Sequence, residues 1–453
     1  MSATNAPGTP APDIPGSDAS APDTPEKGRV DWPAFLTCIA VVLLASVPLA
    51  LFPEAGERLL TTGYDFIADR LGFLYAFAGF GVFVLLSWLA FGRYGKVTLG
   101  RDEDEVEYSD FSWTAMLFCA GVGAGLLYWA VIEWASYYDA PPFGVAPRSP
   151  EAANWAATYG IFHWGITAWC FYCLPTLAIA YPYYVKRVPY LRFSTSCHYF
   201  LGGKQETVTG RAIDLFFMIA LLGGAGSSLG FSTPMIAACI ARLTGLEVTF
   251  GLEVFSVLLC VALFATSVWF GLNRGIKRLS DVNLVLAFVL LLFVLIVGPT
   301  LFLFETSLKS ILTMVPNFLK MNWWTDPFTD SQFFRDWTVF YWAWWIAYAP
   351  FVGLFVTRIS RGRTIRQVIL GMTLSGSLGG ALFYMVLGNF GLYLELSDTL
   401  LVTEVVSVSG GPAAIVAILD QLPLGSMVIL AFAVVSVIFS ATTYDSASYI
   451  LAS

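Results

Sequence analysis

Residues 336–351 read DWTVFYWAWWIAYAPF. Eight of the fifteen residues from Trp337 to Phe351 are aromatic, and no charged residue occurs between Asp336 and Arg358. An uncharged, largely apolar segment of about 20 residues is long enough to cross a hydrocarbon layer as a helix. The stretch therefore predicts a membrane-spanning helix, and its density of large π faces requires an explanation beyond apolarity.

The composition extends this prediction to the whole chain. Of 453 residues, 57% are apolar and only 12% are charged, whereas an ordinary soluble domain carries about 25% charged residues. The short alternating segments of a membrane β-barrel are absent from the sequence. The sequence therefore predicts an all-α polytopic membrane protein. Its ten predicted spans are residues 33–53, 72–92, 111–138, 155–184, 213–241, 249–270, 282–304, 337–357, 367–394 and 425–450.

Two segments outside these spans differ in character. Residues 1–32 are rich in Pro, Ala, Ser and Asp and lack the basic and apolar regions of a signal peptide. They predict a disordered cytoplasmic tail that precedes a transmembrane domain over residues 33–453. Between the seventh and eighth spans, SLKSILTMVPNFLKMNWW has mixed polarity and predicts an amphipathic surface helix.

The basic residues predict the orientation. If the N-terminus lies inside, seventeen of the 24 Lys and Arg residues fall in the inside segments. Cytoplasmic loops carry such an excess. The sequence thus predicts a multi-pass protein of the cytoplasmic (inner) membrane with its N-terminus inside.

The aromatic stretch has two readings. Interfacial belts place Trp and Tyr at span ends, but here Trp344, Tyr348 and Phe351 follow helical spacing towards the middle of the span. A box of aromatic faces would instead bind a quaternary ammonium group, which has no N–H to donate, by cation–π attraction. Belt or simple packing remains the alternative.

The fourth span carries a second aromatic set, in HWGITAWCFY. Trp164, Trp169 and Tyr172 fall within one half of the helix surface. His163 precedes them. It is interpreted as a hydrogen-bonded helix residue. The alternative is a role as a proton relay, because ionisable groups inside a membrane often have a function.

The third span contains AGVGAG, residues 120–125. Gly121, Gly123 and Gly125 alternate, whereas helix-packing motifs space glycines by four. Spacing by two suits an unwound stretch whose free carbonyls bind a cation or a substrate, a mark of secondary transporters. Close helix packing is the alternative.

These motifs together resemble those of the betaine/choline/carnitine transporters. DWTVFYWAWWIAYAPFVG followed by RISRGRTIR, and earlier FHWGITAW and the glycine stretch, occur in that family's order over about residues 30–453. The resemblance implies twelve spans with a LeuT-type inverted repeat, of which ten are visible, so two more are expected after Ser453. It also implies a homotrimer, and no enzymatic activity or cofactor. The sequence has only two histidines and no HExxH motif.

The resemblance also implies which residues form the sites. The substrate box would comprise Trp164, Trp169, Tyr172, Trp342, Trp344, Trp345 and Tyr348. A coupling Na⁺ would be bound by carbonyls of Cys119, Val122 and Phe439 and by the hydroxyls of Thr442 and Thr443. Back-bonding to the helix is the alternative role of the threonine pair.

The resemblance bears on whether transport is coupled to Na⁺ or proceeds by exchange. IEWASYYDAPPFGVAP is similar to the sodium-independent carnitine exchangers, but those carry an Arg after SDV, where this chain has Asn283. A second Na⁺ is not expected, because Leu221 and Ala225 stand where some members have hydroxyls. The sequence therefore predicts a sodium symporter.

The predicted solute is a zwitterionic quaternary ammonium compound of the osmoprotective kind, glycine betaine first. Choline is less expected, because its net positive charge would favour a carboxylate near the box and AGVGAG holds none. Carnitine or a sulfonium analogue such as dimethylsulfoniopropionate would fit the same walls. The rival is a sodium-independent carnitine/betaine exchanger, and a channel or an intramembrane enzyme is the alternative of a different class.

Overall fold

The computed structural model describes residues 32–101, 104–203, 207–325 and 331–452, and this part of the chain consists of helices joined by turns and loops, with one isolated antiparallel bridge between Thr98 and Thr364. The predicted N-terminal tail lies outside the described residues except for Trp32. The helices are α1 Trp32–Leu51, α2 Pro53–Phe91, α3 Asp110–Val122, α4 Gly125–Asp139, α5 Pro150–His163, α6 Ile166–Ala180, α7 Val208–Thr244, α8 Phe250–Arg274, α9 Ile276–Val297, α10 Thr300–Trp323, α11 Phe340–Ile359, α12 Ile365–Leu370, α13 Gly376–Phe383, α14 Asn389–Leu396, α15 Val402–Asp420 and α16 Gly425–Ala452. Wider π-helical turns precede α11 at Phe334–Val339 and join α12 to α14 at Gly371–Ser375 and Tyr384–Gly388.

The predicted all-α membrane fold is confirmed. Within the described ranges, ten helical stretches are long and apolar enough to cross a membrane, or eleven if the bent pair α3 and α4 forms one span. The second span is longer than predicted, because α2 begins at Pro53 and runs for 39 residues. Its early part carries Asp65, which lies 2.5 Å from Arg335. That ion pair ties α2 to the turns before α11.

Helix α15 was not predicted from the sequence. Val402–Asp420 is apolar enough to be a candidate span, but Gly410 adopts φ 81° and ψ 168° and divides the helix. At 1.5 Å per residue the two arms are only about 12 and 15 Å long. Neither arm alone reaches across a hydrocarbon layer of about 30 Å.

The predicted amphipathic segment forms α10. Although α10 has 24 residues, it is not among the candidate spans. It packs against α5, where Asn154 Nδ2 donates to Thr313 Oγ1 at 3.1 Å. The sequence predicts an amphipathic helix here rather than a span, and α10 is not a candidate span.

Two basic segments predicted to lie inside meet in the structure. The amide of Leu99 donates to Arg363 O at 2.8 Å, and Arg361 pairs with Asp104 at 2.7 Å. The Arg361 guanidinium holds the pKa of the Asp104 carboxyl below its usual value. The loop after α2 and the loop before α12 therefore share one side of the molecule, as their charges predict.

The pair α6 and α11 forms the centre of the core. Thr357 Oγ1 of α11 donates to Thr176 O of α6 at 3.0 Å, and the helices approach closely at Gly353. A Cβ added to Gly353 would lie 2.9 Å from the backbone nitrogen of Thr176. Residue 353 must therefore lack a side chain for the two aromatic sets to meet.

We expect Gly353→Ala to lower the stability of the purified protein by about 1 kcal/mol. Overpacking destabilises the fold by about 2 kcal/mol, and the higher helix propensity of alanine stabilises it by about 1 kcal/mol. Thermal unfolding in detergent measures the change. Gly223→Ala is the matched control, because that glycine is exposed on α7 with no atom within 4 Å of its added Cβ. Equal stability of the two variants would contradict the close approach of α6 and α11.

Candidate functional site

The third span is broken where its glycines alternate. α3 ends at Val122, α4 begins at Gly125, and the two axes differ by 61°. Gly123 has φ 53° and ψ −159°, a conformation that side chains rarely adopt. Only Gly123 and Ala124 lie outside the helices. The unwound stretch is therefore shorter than predicted, since Gly121 and Gly125 belong to the helices on either side. Broken helices of this kind expose backbone groups that can bind ions and substrates.

The glycines at the helix ends allow aromatic rings to approach. A Cβ on Gly121 would lie 2.9 Å from the Trp169 ring, and one on Gly125 would lie 3.4 Å from Trp344. Tyr172 donates its hydroxyl to Gly121 O at 2.9 Å. The break, the fourth span and the aromatic stretch of α11 thus meet at one place.

Trp345 lies at the centre of the aromatic rings. Its ring stacks on Trp344, with centroids 5.4 Å apart, and meets Trp164 edge to face at 4.8 Å. Tyr172 approaches it edge to face at 5.7 Å. Trp345 Nε1 donates to His163 O at 3.0 Å, which fixes the orientation of its ring. This hydrogen bond and the three ring contacts hold Trp345 in one orientation in this structure.

A cavity of about 10 Å³ lies beside these rings. Its wall comprises Tyr172, Trp344, Trp345 and Tyr348 together with Ser228, Thr443 and residues 120–122. That volume holds about one water molecule. A trimethylammonium group is several times larger, so the rings must separate to admit one.

The predicted box residues do not all reach this cavity. Trp164 contacts Trp345 beside it, and Trp169 meets Tyr172 edge to face at 5.6 Å. Trp342 instead packs among Phe162, Phe171 and Gly79 of α2. Residues two apart on a helix differ by about 200°, so Trp342 and Trp344 face opposite ways. The structure brings six of the seven residues together and leaves Trp342 out.

The predicted ion ligands converge where α16 packs against the end of α3, next to the same cavity. Thr443 Oγ1 lies 3.1 Å from Cys119 O and 3.0 Å from Phe439 O. Thr442 Oγ1 lies 3.0 Å from the same Phe439 carbonyl, and Val122 lines the adjoining cavity. Back-bonding of the threonines therefore occurs together with a contact between α16 and α3. The atoms are carbonyl and hydroxyl oxygens, the donor type used for Na⁺ in broken-helix transporters.

Two further positions bear on the coupling ion. Asn283 is buried in α9, and its Nδ2 lies 4.0 Å from Cys119 Sγ. Position 283 therefore adjoins Cys119, one of the predicted ligands, and carries a neutral amide. Leu221 and Ala225 stand where some family members have the hydroxyls of a second Na⁺ site. Here Leu221 is buried, and Tyr444 donates to the backbone oxygen of Ala225 at 3.3 Å. Neither Leu221 nor Ala225 has a side-chain oxygen.

The site contains a carboxylate that the sequence reasoning missed. Glu133 of α4 is fully buried. Its Oε2 accepts from Tyr341 at 2.6 Å, from Trp164 Nε1 at 3.2 Å and from Tyr384, and its Oε1 accepts from Tyr137. It is the one charged residue in the predicted third span, and such residues are functional candidates by default. Glu133 lies outside AGVGAG but beside the box, so the lack of a carboxylate in AGVGAG does not disfavour choline.

His163 belongs to the same hydrogen-bonded cluster. Its Nδ1 lies 2.8 Å from the Tyr137 hydroxyl and its Nε2 lies 3.1 Å from Thr338 Oγ1. Tyr137 has one proton and gives it to Glu133, so Nδ1–H of His163 donates to the Tyr137 oxygen. His163 is thus a hydrogen-bonded helix residue, and the cluster joins it to the carboxylate.

Comparison with known proteins agrees with this architecture. Residues 33–453 match the family model described as betaine/carnitine/choline family transporter. The chain is 39% identical to the uncharacterized transporter YeaV of Escherichia coli K12, over 81% of this chain and 76% of that protein. It is 34% identical to a carnitine transporter of Acinetobacter baumannii, over 91% and 75%. It is 32% identical to the glycine betaine transporter OpuD of Bacillus subtilis, over 92% and 81%.

Proposed function

We propose, from the premise that this chain belongs to the betaine/carnitine/choline family of transporters, that it imports glycine betaine together with Na⁺. Family membership makes it a multi-pass membrane transporter with a LeuT-like helical fold, not an enzyme. The observation that carries the finer proposal is the set of aromatic faces around Trp345 beside the broken third span.

The rings support a quaternary ammonium head group. Such a group offers no N–H, so faces of Trp and Tyr recognise it by cation–π attraction of about 2 kcal/mol or more once desolvated. The N-terminus of α4 adjoins the Trp344 ring, because a Cβ added to Gly125 would lie 3.4 Å from it. Helix N-termini favour anions, so a carboxylate one methylene from the head group would find a partner there. Glycine betaine has that length.

The oxygens around Thr443 support coupling to Na⁺. Cys119 O, Phe439 O and the two threonine hydroxyls approach one another across α3 and α16. To bind an ion, each hydroxyl turns its proton away and presents its oxygen. Asn283, beside Cys119, brings no positive charge that would replace the ion.

A second candidate function is sodium-independent exchange of carnitine or betaine. The observation in its favour is the 34% identity with a protein named a carnitine transporter, together with the IEWASYYD segment. Carnitine shares the trimethylammonium head group and fits the same rings. The two candidates therefore differ in the ion and the counter-solute, not in the aromatic site.

The remaining features of the proposal follow from charge and resemblance. We propose that the protein lies in the cytoplasmic membrane with its N-terminus inside, on the basis of its basic loops. We also propose a homotrimer, by resemblance to the family. Cysteine labelling of intact cells tests the orientation, and light scattering in detergent tests the oligomer.

Uptake into proteoliposomes tests the function directly. We expect radiolabelled glycine betaine to accumulate with an inward Na⁺ gradient, and to do so much less with K⁺ in its place. Carnitine and choline are measured in parallel. Uptake that needs a preloaded solute and ignores Na⁺ would favour the exchanger. Absence of uptake of all three solutes would contradict the proposal.

A further inference from the structure

The cluster around Glu133 brings a negative charge next to the aromatic rings. Glu133 receives four hydrogen bonds, from three tyrosine hydroxyls and one indole N–H. Each of these four groups has one O–H or N–H to give, so both carboxyl oxygens act as acceptors. The nearest ionisable neighbour outside the tyrosines is His163, at 3.9 Å, and its Nδ1–H is directed to Tyr137. Within the described part of the chain, the contacts of this carboxylate come from hydrogen-bond donors and from no lysine or arginine.

Two of the four donors also contact the central ring of the proposed site. Trp164 gives its N–H to Glu133, and its ring meets Trp345 at 4.8 Å. Tyr341 gives its O–H to Glu133, and its ring stacks on Trp345 at 5.8 Å. Donation to an anion shifts electron density from the N–H or O–H into the ring. The faces that meet a cation therefore become more negative.

We propose that Glu133 determines specificity, by making the aromatic site prefer a positively charged head group over a neutral group of the same shape. This inference rests on the proposed function. Glu133 acts through Trp164 and Tyr341 and through its own field, without touching the solute. A charge inside a membrane is costly, and this role gives a reason for its place beside the rings.

The substitution Glu133→Gln separates charge from shape. Glutamine keeps an oxygen to accept from Trp164, Tyr341 and Tyr384. Its amide can donate to the Tyr137 oxygen, and Tyr137 can then donate to His163 Nδ1, while Nε2–H turns to Thr338. The three bonds to the oxygen keep their direction and those along Tyr137, His163 and Thr338 reverse, so the variant loses the charge and keeps the packing.

The test uses two ligands that differ only in the charge of the head. Glycine betaine carries a trimethylammonium group, and 3,3-dimethylbutanoate carries a tert-butyl group of the same shape on the same acetate. Both compete against radiolabelled glycine betaine in proteoliposomes, and the ratio of their inhibition constants is measured. We expect Glu133→Gln to lower the preference for glycine betaine about fivefold, the scale of a screened charge acting through one ring. A merely structural role would weaken both ligands alike.

The matched control is Glu395→Gln. Glu395 is also a buried carboxylate, but it accepts from the amide and hydroxyl of Thr403 at the start of α15. Its variant should keep the wild-type ratio. Tyr384→Phe gives a second test that does not depend on the folding of Glu133→Gln. It removes one hydrogen-bond donor to Glu133 and leaves the carboxylate in place. The preference for glycine betaine should therefore stay the same or increase.

Each outcome bears on one proposal. The role of Glu133 would be overturned if Glu133→Gln kept the wild-type ratio of inhibition constants. It would also be overturned if Tyr384→Phe lowered that ratio fivefold. A wild-type protein that binds neither ligand, or does not prefer the cation, would instead contradict the proposed solute. The two failures are therefore distinguishable.

Discussion

Replacing Trp345 by leucine should weaken the binding of glycine betaine about 30-fold. The loss of one desolvated cation–π face costs about 2 kcal/mol, which is about a 30-fold rise in Kd. Trp345 is chosen because its ring contacts Trp164, Tyr172 and Trp344 and lines the cavity. Leucine fills much of the space without an aromatic face. Titration of tryptophan fluorescence in detergent measures the affinity.

Trp342→Leu is the matched control for this prediction. The same change is made on the same helix, three residues earlier, where the ring packs against Phe162 and Phe171 instead of the cavity. Its Kd should stay near that of the wild type in protein that elutes as a single species. If Trp342→Leu weakened binding as much as Trp345→Leu, the placement of the site would be wrong. An unchanged Kd in folded Trp345→Leu would remove that ring from the site.

The second large effect concerns the ion. Thr442→Ala/Thr443→Ala should raise the Na⁺ concentration that half-saturates uptake at least about tenfold, or about 1.4 kcal/mol. The pair removes two hydroxyl oxygens from a region where no water readily replaces them, and the Thr443 contact with Cys119 O is lost. Uptake of glycine betaine at increasing Na⁺ measures the effect. Solute affinity at saturating Na⁺ should change less.

Ser436→Ala controls for the loss of a helical hydroxyl. Ser436 lies on the same helix, is buried, and donates to the Phe432 carbonyl one turn earlier at 2.7 Å, as Thr442 does to Ile438. That variant should keep the wild-type dependence on Na⁺. Wild-type uptake that is equally fast without Na⁺ would defeat the sodium assignment and favour the exchanger.

Several features could be predicted from the sequence because they depend on local chemistry. Apolar length marks the spans, since each backbone must satisfy its own hydrogen bonds in lipid. The alternating glycines predict a break, and Gly123 indeed has a positive φ. The mixed polarity of residues 307–324 predicts a helix that does not span, and α10 is one. The aromatic spacing identifies the residue types of the site.

Other features depend on how distant helices pack, and the sequence could not predict them. The hydrogen bonds from Tyr341 and Tyr384 to Glu133 join residues 208 and 251 positions apart, and that from Thr443 to Cys119 joins residues 324 apart. Composition places each on an apolar helix but says nothing about the rotation of one helix against another. The division of α15 at Gly410 likewise follows from a single backbone conformation within an apolar run.

The sequence by itself determined that this is a helical membrane transporter with a broken third span and two aromatic sets. The tertiary structure decided that Trp345 faces the cavity, that Trp342 faces away, and that a carboxylate lies behind Trp164. The physical reason is that periodicity fixes the angles between residues within one helix. Which residues of other helices lie against each helix face depends on close packing between helices. Here Gly121 and Gly353 allow α3, α6 and α11 to meet.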